Sequence, residues 1–114
     1  MLLDENIKGQ LREYFKNITR PIVFHTKNTN DKMNEFLNEI ITLNENLKIE
    51  KDDNLDCRDN SFEIFDGNTA TGIVFSGIPG GHEFNSFILA ILSIFGLGEK
   101  LTQIQINLVK DIHD

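Results

Sequence analysis

An imidazole and a carboxylate stand side by side in Gly77-Ile78-Pro79-Gly80-Gly81-His82-Glu83-Phe84, at the foot of an apolar segment running from Phe84 to Phe95. His82 and Glu83 could supply acid/base chemistry or dock a partner. A plainer role is also open to them. A glutamate in a helix's first turn is stabilised by the helix dipole, by roughly 0.3–1 kcal/mol, and can satisfy free N–H groups. Gly80 and Gly81 would let a substrate or partner backbone approach closely. No nucleophile with its base is evident nearby, since Ser76 and Ser86 are candidates in name only. The loop is not a phosphate loop, as it lacks the Gly-Lys-Ser/Thr ending and the Gly-x-Gly-x-x-Gly pattern. We read Pro79, Gly80, Gly81, His82 and Glu83 as an interaction site before a catalytic one.

Redox and metal chemistry are constrained by what the chain holds. Cys57 is its one cysteine, so dithiol–disulfide exchange within these 114 residues is excluded. Asp56 and Asp59 should disfavour its thiolate, with Arg58 partly opposing them, so Cys57 reads as an incidental surface thiol. His25, His82, His113 and Cys57 show no zinc-type spacing, and no metal or cofactor is expected in this chain. The net charge of −7, from 18 acids and 11 bases, speaks against nucleic-acid and anionic-membrane partners. No apolar run approaches the ~20 residues of a membrane span. There is no N-terminal segment of signal-peptide type, and the single thiol suits a reducing cytoplasm, where we expect the chain to reside. With 39% hydrophobic and 25% charged residues, the chain is expected to form one domain over 1–114.

The elements that must position these residues follow from hydrophobic spacing. Asp4 is a candidate cap for a helix with Ile7, Leu11, Tyr14, Phe15 and Ile18 at spacings of three and four. Pro21 closes it and opens a strand, Ile22-Val23-Phe24-His25. A polar loop leads to a second helix from Asp31 to Asn44, then a short alternating strand, Leu47 to Glu50. Lys51 to Asn60 is expected to be the most mobile loop. Ser61 to Phe65 and Gly72 to Ser76 should form an antiparallel hairpin around Asp66-Gly67-Asn68. The glycine loop and apolar helix follow, then a break at Gly96-Leu97-Gly98. A last amphipathic helix would carry Leu101, Ile104, Leu108, Val109 and Ile112.

The resulting order, α-β-α-β-β-β-α-α, is that of thioredoxin-like folds: an α/β four-stranded mixed sheet with helices on both faces. In such folds the reactive dithiol follows the first strand. Here that place is His25 to Asp31, without a thiol, and Asn60 stands where a cis-proline is usual.

The run Gly77-Ile78-Pro79-x-Gly81-His82-Glu83-Phe84-Asn85-Ser86, followed by Ile88 to Leu92, resembles the N-terminal domain of the flavoprotein component of bacterial alkyl hydroperoxide reductase. Leu3 to Leu11, Asn38-Glu39-Ile40, Ser61-Phe62 and Ile106 to Ile112 are similar as well. That domain consists of two contiguous thioredoxin-like folds, related to glutaredoxin-like protein disulfide oxidoreductases. The resemblance implies that this chain is the first, cysteine-free fold. The active Cys-x-x-Cys would lie in a second fold, which passes electrons from an FAD- and NADH-dependent unit to a peroxiredoxin-type peroxidase. It also implies that Glu83 sits where the vestigial site faces its active neighbour. Asn60, in place of the usual proline, and Gly80, where leucine is common, depart from the pattern. This chain alone should be no enzyme, whereas a parent carrying it would be an NADH-dependent peroxiredoxin reductase. A free-standing adaptor that docks a protein through Gly77 to Glu83 is the alternative.

Overall fold

The structure is a computed structural model, and it describes residues 5–80 and 82–96. Backbone contacts divide the chain into two compact units, Met1–Ile78 and Pro79–Asp114.

The first unit contains helix α1 (Glu5–Phe15), strand β1 (Ile22–Lys27), helix α2 (Asp31–Ile41) and strands β2 (Leu47–Lys51), β3 (Ser61–Asp66) and β4 (Thr69–Ser76). The sheet order is β2-β1-β3-β4. β1 and β2 are parallel, joined through α2, while β3 and β4 run antiparallel to their neighbours. This is the thioredoxin-like mixed sheet expected from the element order.

α2 forms because Met33, Phe36, Leu37 and Ile40 recur at helical spacing and are all buried. Asn30 caps it: its side chain accepts the Met33 N–H at 2.9 Å. α1 buries Ile7, Leu11 and Phe15. It lies beside α2, with Lys8 Nζ 3.2 Å from Glu39. Asn44 donates to the Phe15 carbonyl at 2.8 Å and Asn46 to that of Ile18 at 3.0 Å. These two amides tie the end of α1 to the entry of β2. Asp4, the expected cap of α1, lies outside the described residues.

One face of the sheet is the core. Ile22, Phe24, Phe62 and Ile64 are buried there, and the Phe24 and Phe62 rings meet edge-to-face at 5.8 Å. The other face carries Val23, His25, Glu63, Phe65 and Val74. Of these only His25 is buried, and Val74 is 40% exposed.

The β3–β4 hairpin departs from the sequence reading. β4 begins at Thr69 rather than Gly72, because Gly67 (φ 63) and Asn68 close a two-residue turn. Two residues of β4 then bulge between the Phe65↔Ala70 and Glu63↔Val74 pairs, and Gly72 takes φ 81 inside the bulge. Arg20 clamps the turn by a two-armed contact to Asp66, Nε–Oδ1 2.9 Å and Nη2–Oδ2 3.0 Å.

The described part of the second unit is Pro79, Gly80 and helix α3 (His82–Ser93), with the residues to Gly96. Phe84, Phe87, Ile88, Ile91 and Leu92 make one buried stripe, while Glu83, Ser86 and Ser93 are exposed. Apolar nearly all round in sequence, α3 is therefore one-sided in burial. Gly96 at φ 72 follows the helix as a C-terminal stop. The expected last helix lies outside the described residues.

Candidate functional site

The junction between β1 and α2 is built from amides. Asn28 (φ 47) donates to Asp59 Oδ1 at 2.8 Å. The Asn30 backbone N–H donates to Asn60 Oδ1 at 2.9 Å, while the Asn30 side chain caps α2. Asn60 is itself left-handed (φ 56). Its N–H donates to the Lys27 carbonyl and its carbonyl accepts from Gly77 N–H, both at 2.9 Å. Asparagine tolerates this backbone region better than most residues, because its short polar side chain bonds locally. So the helix end that could stabilise a thiolate is occupied by a side-chain amide, and the loop before β3 is pinned to it.

Next to the junction, at the carboxyl ends of β1 and β2, lies a cleft of about 470 Å³ lined by Thr26, Asn28, Thr29, Asn34, Ile49 and Lys51. Open α/β sheets commonly place ligands at this end of their strands. A larger cleft, about 680 Å³, runs over Lys8 and the outer side of α2. It is an exposed helix surface with no grouping of reactive residues.

Loop 52–60 is tethered at several points, which corrects its reading as the loosest segment. Lys27 Nζ donates to the carbonyls of Leu55 and Cys57, at 2.9 Å each. Leu55 is buried. Cys57 is free and half-buried. At the start of the loop Asp52 meets His25, Nδ1–Oδ2 2.9 Å. That hydrogen bond is the main reason the Asp52 carboxyl is held below the usual carboxylate range. His25 Nε2 lies 3.3 Å from Glu50 Oε2, and its ring stacks on Phe65 with centroids 3.5 Å apart.

Across the described residues no group of three or more His, Cys, Asp or Glu side chains is placed to hold a metal ion. No described helix is long and apolar enough to cross a membrane.

No protein-family model matches the chain. Individual proteins do. Over 97% of its length the chain is 35% identical to AhpF, the flavoprotein component of alkyl hydroperoxide reductase, of Pseudomonas aeruginosa. It is 33% identical to the Escherichia coli AhpF over the same share. The chain belongs to the AhpF N-terminal domain family. A Bacillus subtilis relative, 36% identical over 98% of the chain, bears the name NADH dehydrogenase. The chain spans 22% of the length of each of these relatives. Its fold matches the solved N-terminal domain of Enterococcus faecalis AhpF with a TM-score of 0.69 at 26% identity. That match covers 79% of this chain and 51% of the other.

Within this AhpF-type fold, the residues singled out in sequence fall in the second unit. Glu83 is exposed in the first turn of α3, and its N–H donates to the Gly80 carbonyl at 3.0 Å. Pro79 is buried and Gly80 exposed. A Cβ on Gly80 would meet nothing within 4 Å. Gly81 lies outside the described residues, and His82 is described only as the first residue of α3. The histidine that sequence reasoning passed over is His25. Its neighbours were legible in principle: laying Ile22-Val23-Phe24-His25 beside Leu47-Lys48-Ile49-Glu50 in parallel places His25 opposite Glu50.

Proposed function

We propose that this chain is a redox-inactive thioredoxin-like fold, the structural and docking half of a disulfide-reductase module. That module would deliver electrons to a peroxiredoxin-type peroxidase as part of an alkyl hydroperoxide reductase system. The observation that carries this reading is the β1–α2 junction, where Asn28–Asp59 and Asn30–Asn60 hydrogen bonds occupy the place of a dithiol. Membership of the AhpF family supports it. FAD and NADH chemistry, and the Cys-x-x-Cys fold that would be this chain's partner, belong to the parent on this reading. Pro79, Gly80, Gly81, His82 and Glu83 would form the docking loop, to which the exposed Glu83 carboxylate and the open space at Gly80 are suited. Its place of action would be the cytoplasm.

Two measurements test the proposal. Insulin reduction by the purified chain with dithiothreitol should stay at background, with Cys57→Ser indistinguishable from wild type; a rate above background that Cys57→Ser abolishes overturns the inactive reading. For docking, the Cys-x-x-Cys fold of an AhpF relative is titrated into the labelled chain. Shifts in the amide signals around Glu83, weakened in Glu83→Lys, are expected. Saturating addition with no shift there overturns the docking role.

A further inference from the structure

His25 has a carboxylate at each ring nitrogen: Asp52 Oδ2 at 2.9 Å from Nδ1 and Glu50 Oε2 at 3.3 Å from Nε2. A neutral imidazole carries one N–H and can donate to only one of them; the imidazolium donates to both. The ring is 8% exposed and lies flat on Phe65, at an interplanar angle of 9°. An aromatic face also favours a cation. We infer that His25 is a proton-operated latch that fixes loop 52–60 to the sheet, closed by the charged ring and loosened when its proton leaves.

The charged surroundings are named from each strand. Glu50 and Lys48 lie on β2, and Glu63 faces His25 from β3 in register. Glu63 is engaged in turn, accepting the Gly72 N–H at 3.2 Å. Lys27 lies two residues along β1 and is directed to the Leu55 and Cys57 carbonyls. The acid side of this balance outweighs the basic side at the ring itself. The depressed Asp52 carboxyl, a consequence of the His25 hydrogen bond, agrees with a charged ring.

Protonation therefore strengthens the tether. Charge-assisted hydrogen bonds are roughly twice as strong as neutral ones. As pH rises past the ring's titration, the Glu50 arm is lost and the Asp52 arm weakens. The effect reaches the loop because the Asn54 N–H donates to Asp52 Oδ1 at 3.1 Å and the Leu55 N–H to the Asp52 carbonyl at 3.3 Å. The same loop ends in Asp59 and Asn60, which bound the amide-filled junction. The position of that surface would thus answer to pH. This inference concerns the sheet and its loop alone and stands independently of the docking role.

The test uses the full 114-residue chain, with amide exchange at Asn54 and Leu55 corrected for intrinsic rates at each pH. Protection should fall about two- to fivefold between pH 5.5 and 8.5, and should be flat in His25→Gln. Ring titration followed by NMR gives a second readout on Glu50→Gln, a change at an exposed side chain. Its His25 midpoint should move to lower pH, because the carboxylate that favours the proton is gone. Wild-type protection that ignores pH, the same fall in His25→Gln, or an unmoved midpoint in Glu50→Gln would each overturn the latch.

Discussion

Asn60 accepts the backbone N–H of Asn30 through its side-chain oxygen, 2.9 Å away, joining the residue before β3 to the cap of α2. The contact depends on Asn60 holding a left-handed backbone. Two costs can therefore be separated. Asn60→Gly keeps the backbone geometry at ease and loses the side-chain bond, at about 1 kcal/mol. Asn60→Ala loses the bond and adds strain of roughly 1–2 kcal/mol. Urea unfolding should rank the stabilities wild type, Gly, Ala. Equal stability of the two variants would show that the backbone carries no strain there.

Acid unfolding should report on the Arg20–Asp66 clamp. The Asp66 carboxyl is held below its usual range, chiefly by the hydrogen bond from Arg20. A depressed carboxyl pKa stabilises the fold above the unfolded value of about 3.9. That contribution is lost as pH falls through the lower, folded value. Asp66→Asn should thus flatten the stability profile below about pH 4. Superimposable profiles for wild type and variant would contradict this.

Two glycines near the start of the second unit should respond in opposite directions. Gly77 has φ 82 and Gly80 has no left-handed backbone, while neither would crowd an added Cβ. Gly80→Ala should stabilise by about 0.4–1 kcal/mol, through the unfolded chain's lost freedom. Gly77→Ala should destabilise by roughly 1 kcal/mol or more, because alanine resists a positive φ. Paired thermal melts of the two variants check the signs.

Phe62 is fully buried, meeting Phe24 edge-on at 5.8 Å and Phe75 near-parallel at 5.5 Å. Phe62→Ala should cost about 3–5 kcal/mol. Phe62→Leu, which retains most of the volume, should cost markedly less. Denaturation midpoints of the two variants, at unchanged m-value, give the comparison.

Most of the sheet's elements could be read from the chain, because hydrophobic spacing records which side of each element is buried. The α2 stripe, the Gly67–Asn68 turn and the missing thiols at β1 all lie in local sequence. The start of β4 did not. Thr69, Ala70 and Thr71 show no apolar alternation, since they pair along an edge strand that has little to bury. His25 was missed for another reason. Its meaning arises from strand register, which brings Glu50 and Asp52 to it from 25 and 27 residues away. Tethering of loop 52–60 was hidden likewise, because Lys27 acts on carbonyls whose side chains say nothing of it.

Amides neither ionise nor change oxidation state under cellular conditions. The tip of β1, bounded by Asn28, Asn30 and Asn60, therefore keeps one shape whatever the acidity or oxidant around it. Three residues upstream of Asn28, His25 answers to protons. A single strand thus has an invariant end and an adjustable shank, and a partner resting on both would feel acidity through a surface that oxidants leave alone.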